Sequence, residues 1–207
     1  MVAQDVPLSR PDSPFWFIGG DISLDLVNTE MIESGVLVDR INTPELLRAW
    51  LDASSLGQDL GVPEQISQEV FDKVIDLRHS LRAGYDELAF GRTLPEGTIL
   101  TLNDILGPDP GSRLRDGGGG RLERSSRVNL ATQPWWLPWL LADAAADLIV
   151  SPTAALVRRC ASQVCVLFFV DTSRNHSRRW CSMELCGNRN KVAAHHQRAR
   201  EAGAGQV

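Results

Sequence analysis

Along most of this chain the hydrophobic residues recur at the three- and four-residue spacing of amphipathic helices. The longest such run covers Pro63 to Phe90, where Ile66, Val70, Val74, Leu77, Leu81, Tyr85 and Leu88 repeat at these intervals and Gly91 supplies a stop. An earlier helix start is read at Thr43-Pro44-Glu45, which offers a capping hydroxyl and a proline at the first helical position. Leu46, Leu47, Trp50 and Leu51 form its apolar face. A shorter helix is predicted over Glu96 to Leu106, ended by Gly107-Pro108, and a buried one over Pro134 to Val150, which carries Trp135, Trp136 and Trp139. Near the N-terminus the cluster Phe15-Trp16-Phe17-Ile18-Gly19-Gly20 predicts a short strand and turn. A buried element holding Ile22, Leu24, Leu26 and Val27 follows it. The segment Pro108 to Arg121, with consecutive glycines at Gly117 to Gly120, predicts a loop or hairpin tip, because glycine loses so much backbone freedom on ordering.

Ser151-Pro152 marks a new start, so the domain boundary is expected there, with a first domain at 1–150 and a second at 151–207. Beyond it, Val164 and Val166 to Val170 read as a strand and Asp171 to Asn175 as a turn. Ser177 to Trp180 read as the returning strand, and Asn188 to Ala202 as helix-forming. The expected fold class is α+β: a mainly helical N-terminal domain with a few short strands, plus a small treble-clef-like module of β-hairpin and C-terminal helix.

Composition narrows the class further. A chain of 207 residues with 43% hydrophobic content has room for one ordinary domain and a small appendage. No apolar run approaches the roughly 18 to 20 residues that cross a bilayer, and Met1 to Asp12 lack the pattern of a secretory signal. No membrane partner and a cytoplasmic location are therefore expected. The formal charge of −5 conceals a division: from Arg158 onward nine Lys/Arg face three acids, a net of +6, whereas the first 157 residues hold twelve against twenty-three, a net of −11. Only the C-terminal segment is suited to a polyanion.

All four cysteines fall in that basic segment, at Cys160, Cys165, Cys181 and Cys186, in the pattern C-x4-C, fifteen residues, C-x4-C. Paired cysteines bounding a short insert, in a chain without a secretion signal, point to metal ligands rather than disulfides. A closed thiolate set suits one structural Zn²⁺, leaving no open position for catalytic water. Around the ligands stand Arg174, Arg178 and Arg179 on the expected hairpin, and Arg189, Lys191, His195, Arg198 and Arg200 on the expected helix. Lys191, His195 and Arg198 share one helical face. These residues are the candidates for contact with double-stranded DNA.

The run Ser173-Arg174-Asn175-His176-Ser177-Arg178-Arg179-Trp180-Cys181-Ser182-Met183-Glu184-Leu185-Cys186-Gly187-Asn188-Arg189-Asn190-Lys191 closely resembles the CGNR zinc-finger family, whose name is matched by Cys186 to Arg189. Phe17 to Thr29 and Leu46 to Gly57 resemble the ABATE domain that usually precedes this finger and is described as a stress-induced transcription regulator. The resemblance implies zinc on the four cysteines and a DNA-binding module. The chain departs from the pattern at Val166, where a glycine is expected.

Two classes of function follow. In the first, the chain is a zinc-dependent DNA-binding transcription regulator of bacterial type, responsive to stress or to a small-molecule effector through its N-terminal domain, and acting as a homodimer. In the second, the N-terminal domain binds a small ligand or is an enzyme, and the zinc module is a structural or docking element. Asp21, Asp25, Asn28 and Thr29 form the candidate ligand pocket; on a helix the first three would share one face. The plainer reading makes Asp21 a helix cap and lets Asn28 and Thr29 close the helix. No catalytic constellation is legible in the sequence, and oxidation of the zinc thiolates is a third, chemically reasonable role.

Overall fold

The computed structural model describes residues 14–116, 118–119 and 121–192. Helix α1 (Ile22–Val27) is buried along most of its length and is followed by a hairpin, β1 (Glu30–Glu33) with β2 (Val36–Asp39). Helices α2 (Pro44–Ala53), α3 (Ser55–Leu60), α4 (Gln68–Ala89) and α5 (Glu96–Leu106) come next. A second hairpin, β3 (Ser112–Asp116) with β4 (Leu122–Ser126), precedes α6 (Leu137–Val150). A third antiparallel pair, β5 (Val157–Arg159) with β6 (Phe168–Val170), opens the cysteine segment. The class is α+β, as expected.

Local signals place most helix ends. Thr43 caps α2 with its hydroxyl, and Pro44 occupies the first turn. Helix α4 starts at Gln68 rather than Pro63, because the Ser67 hydroxyl takes the Val70 N–H and fixes the first turn there. The chain upstream is irregular, with a bend at Glu64: Ile66 is buried without belonging to the helix. The expected helix over Pro134 to Val150 begins with one 3₁₀ turn, Pro134–Trp136, before α6.

The main core is built on α4. Val70, Val74, Leu77, Leu81 and Tyr85 line its inner face and meet Leu24, Leu26 and Val27 of α1, Leu47, Trp50 and Leu51 of α2, and Leu137, Leu141 and Ala145 of α6. Val157, Phe168 and Val170 belong to the same cluster. The expected boundary at 150/151 is thus crossed by a continuous core.

Two arginines inside this framework carry the first hairpin. Arg78 on α4 is 1% exposed and grips Asp39 with both terminal nitrogens at 2.7 Å, while also donating to the Thr29 hydroxyl at 3.0 Å. Arg82, one turn on, donates to Glu30 at 2.6 Å and to the Val27 carbonyl at 2.6 Å. The buried Arg78 guanidinium is tolerated because both terminal nitrogens are taken up by a carboxylate and a hydroxyl, with Nε alone left without a partner among the described residues.

Candidate metal centre

The cysteine segment starts from β5 and β6. Pairing of Val157–Arg159 with Phe168–Val170 carries Cys160 and the loop to Cys165 out from the sheet end, and Cys160 N donates to Leu167 O at 2.9 Å. The sequence expectation of a strand returning through Ser177 to Trp180 is corrected here: β6 pairs with β5 upstream of the first cysteine, and Ser177 to Trp180 form no strand. The returning chain is held instead by single contacts. Ala161 N donates to Arg179 O at 2.9 Å, and Cys181 N points at Cys160 Sγ at 3.4 Å.

The connection between the cysteine pairs is organised by Asp171, which is fully buried. Its carboxylate accepts from Ser173 N at 3.0 Å, the Ser173 hydroxyl at 2.5 Å and Arg178 N at 2.9 Å. Burial pushes this carboxyl up, but the three donors outweigh it and hold the group below the ordinary aspartate value. The second knuckle is a single π-type turn, Met183–Gly187, capped by the Ser182 hydroxyl on Glu184 N and Leu185 N. A Cβ at Gly187 would come within 2.7 Å of Met183 Sδ, so any larger residue there must displace the flexible, half-exposed Met183 side chain. A helical turn at 188–192 follows, tied back by Asn190 Nδ2 on Cys186 O at 2.8 Å.

These elements bring Cys160, Cys165, Cys181 and Cys186 together, all buried, with their ligand atoms within 4.8 Å of one another. A tetrahedral zinc with bonds of about 2.3 Å requires sulfur–sulfur edges of about 3.8 Å. Cys165 to Cys181 measures 3.8 Å and Cys181 to Cys186 3.6 Å. The donor set fits a structural zinc and suits no other common biological ion better. Thiols this close cannot all ionise unaided. Sharing with Cys165 and Cys181 brings Cys160 down to about 2, and the same sharing drives Cys165 up to about 12 and Cys181 well above the ordinary thiol range. A dication resolves the conflict by making every ligand a thiolate.

A second apolar cluster wraps the sulfurs. Ile18, Met31, Leu167 and Phe169 are buried against them, with Trp16 and Trp180 alongside. Ile18 and Met31 come from the N-terminal domain, so the centre is closed by residues from both ends of the chain. Asn28 adds a direct tie: its side chain donates to Phe168 O at 2.9 Å and accepts from Phe168 N at 2.8 Å. Further ties are Val170 N to Gly19 O at 2.8 Å, Arg82 to Val166 O at 3.3 Å and Arg159 to Asp86 at 3.0 Å. Asn28 and Gly19 are marked in the sequence, but for other roles, and none of these ties is legible there, because each makes sense only beside a residue more than 70 positions away.

The basic candidates separate into two kinds. Arg174, Arg179, Arg189 and Lys191 are exposed, and none forms an ion pair among the described residues. Arg179 lies over the Trp180 ring at 5.1 Å. Arg178 is drawn inward, contrary to expectation: it stacks on Phe169 at 4.3 Å, donates to Trp180 O at 2.9 Å and also donates to Cys181 O. Half-buried, it frames the second knuckle. His195, Arg198 and Arg200 lie outside the described residues.

The candidate ligand pocket resolves into structural contacts. Asp21 caps α1 through Ser23 N at 2.8 Å, and Asn28 is spent on Phe168. Thr29 donates to Leu26 O at 2.6 Å and receives Arg78. Asp25 is buried and accepts from Gly19 N at 2.7 Å; burial raises its pKa to about 7. Gly19 is the required partner, since a Cβ there would meet Leu24 Cβ at 2.7 Å.

The chain matches two family models: the CGNR zinc finger over residues 157–199, and ABATE, described as a putative stress-induced transcription regulator, over residues 20–152. No individual curated protein matches it significantly. The fold ahead of the cysteines and the four-sulfur centre behind it thus fall on two matched segments, and the chain belongs to the ABATE family, with a CGNR zinc finger following that domain.

Proposed function

We propose that this chain is a zinc-dependent DNA-binding transcription regulator in which the zinc module presents its basic rim to duplex DNA. The observation that carries this reading is the rim itself: Arg174, Arg179, Arg189 and Lys191 are exposed and without carboxylate partners among the described residues, around a centre closed by its own ligands. Arginines left unpaired on an otherwise acidic protein are available for phosphate and for base edges. Arg178 serves as a positioning residue for the knuckle rather than as a reader of DNA.

The two matched families are of regulator and zinc-finger type, which supports the same reading. The competing ligand-site reading has little room, since Asp21, Asp25, Asn28 and Thr29 are each engaged with their own chain. The ABATE domain receives the stress or small-molecule signal and joins two copies of the chain, because the few phosphate contacts of one finger bind weakly at physiological salt. Selection of bound fragments from a random duplex pool tests the DNA reading, with the full chain and its Arg179→Ala/Lys191→Ala variant run in parallel. Enrichment by the parent that disappears in the variant is the expected result; no enrichment by the parent rejects the reading. Light scattering that finds only monomer at DNA-binding concentrations rejects the pairing.

A further inference from the structure

The hairpin β3–β4 is the exception to the acidity of the first domain. Five of the twelve Lys/Arg in the first 157 residues lie within 112–127, as Arg113, Arg115, Arg121, Arg124 and Arg127. Against them stand Asp116 and Glu123, so the hairpin carries +3 and the rest of those 157 residues −14. All five arginines are exposed. The cross-strand register places Arg113 and Arg115 on one face with Glu123 and Ser125, and Arg121 and Arg127 flank β4 at its two ends. Only Arg115 forms an ion pair, with Glu123 at 3.3 Å; the side chains of Arg113 and Arg121 have no hydrogen bond or ion pair among the described residues. The opposite face carries Leu114 and Leu122, 69% and 66% exposed.

Among the described residues β3 and β4 pack mainly on each other. A two-stranded ribbon of this kind is marginally stable alone in water. The charge on the Arg113/Arg115 face favours an anionic partner there. The basic residues are all arginine, whose planar fork meets phosphate oxygens two at a time, and a two-stranded ribbon has a width that a DNA groove admits.

We propose that β3–β4 is a second nucleic-acid contact, an arginine arm that grips the phosphate backbone of duplex DNA apart from the zinc module. This rests on the DNA-binding reading above and extends it: the ABATE domain, repelled from DNA by its net charge, touches it through this ribbon. The arm supplies affinity rather than sequence choice, since phosphate contacts carry no base information.

The test is anisotropy of a labelled duplex with the full chain across a salt series, comparing the parent, Arg113→Ser/Arg115→Ser/Arg121→Ser, the same three positions changed to lysine, and Arg174→Ser/Arg179→Ser in the zinc module. The plot of log K against log salt should be shallower by about 2 to 3 in the arm serine variant, at about 0.9 for each phosphate that the variant no longer neutralises, and its binding weaker. The lysine variant should keep the parent slope. Circular dichroism identical to the parent excludes misfolding of the serine variant. An arm variant that matches the parent in slope and affinity, while the zinc-module variant fails to bind, overturns the arm and leaves the proposed function standing. A parent that binds no duplex overturns both. Altered self-association in the arm variant with an unchanged salt slope assigns the ribbon to a second copy of the chain and likewise overturns the proposal.

Discussion

Asn28→Ala should weaken the whole fold, and the structure sets the size of the effect. The Asn28 side chain is 3% exposed and serves both backbone groups of Phe168, accepting from its N–H and donating to its C=O. Truncation to alanine leaves both of these buried groups without a partner. An unsatisfied buried group costs about 1 to 3 kcal/mol, so the pair costs about 2 to 6 kcal/mol, against a total stability of about 5 to 15 kcal/mol for a domain. A water that enters the vacated space and bonds either group lowers the cost, which places the expected value in the lower half of that range. Phe168 belongs to the strand that leads out of the first cysteine pair. The same variant should therefore release zinc faster to a colorimetric chelator. Urea unfolding followed by tryptophan fluorescence gives the stability, and the chelator absorbance gives the release rate. A stability change below about 0.5 kcal/mol, the level of an ordinary surface substitution, would refute the claim that Asn28 bonds join the two segments.

Removal of zinc by a strong chelator, or Cys181→Ser, should lower the far-UV helical signal of the first domain as well as disorder the finger, because Val157, Phe168 and Val170 belong to the main core; loss of finger signals alone in NMR would contradict this. Arg78→Ala should destabilise by about 1 to 3 kcal/mol by taking both guanidinium bonds from the partly exposed Asp39, as measured by urea unfolding at pH 7. Burial pushes Asp39 up, but its bonds to Arg78 outweigh this and hold it below its ordinary value, so the stability it contributes is present at neutral pH and is lost as pH falls through the lowered value. Asp25 behaves in the opposite sense. Its pKa is raised to about 7, so the native state keeps a proton that the unfolded chain has released above about 4, and stability should fall as pH rises from about 4.5 to about 7, by up to about 1.4 kcal/mol per pH unit. Asp25→Asn should flatten that slope in urea midpoints; an unchanged slope would remove Asp25 as its source.

Much of this molecule is legible in its sequence where the signal is local. Helix α5 occupies Glu96–Leu106 as read, because Pro95 and Gly107 bound it. The four ligands follow from spacing together with the family resemblance, since a metal site needs the right donors at reachable separation. Asp21 is the cap that the plainer reading made it, and Asn28 ends the helix. Pairing of β6 was not legible. Val166 to Val170 is apolar on both faces, so no alternation reports its register, and its partner is only three residues long. The arginines of α4 were hidden for a different reason. A charged residue between Leu77 and Leu81 reads as a solvated position, and Arg78 is buried only because Asp39 waits 39 positions upstream. Arg178 misled in the reverse direction: among so many exposed arginines, nothing marks the one that folds under Phe169.

Strand β6 has one further consequence. Of its three residues, Phe168 and Val170 face the helical core, while Phe169 faces the sulfurs. A single short wall therefore stands between two rooms and supports both ceilings. The zinc finger is in this sense not a portable cassette: cut away at residue 151 and fused to a foreign protein, it would carry three bare hydrophobic side chains on its back, those of Val157, Phe168 and Val170. Any engineering that exchanges fingers between relatives has to take α1 and the inner face of α4 along with them, and a chimera built at the family boundary should be prone to aggregate.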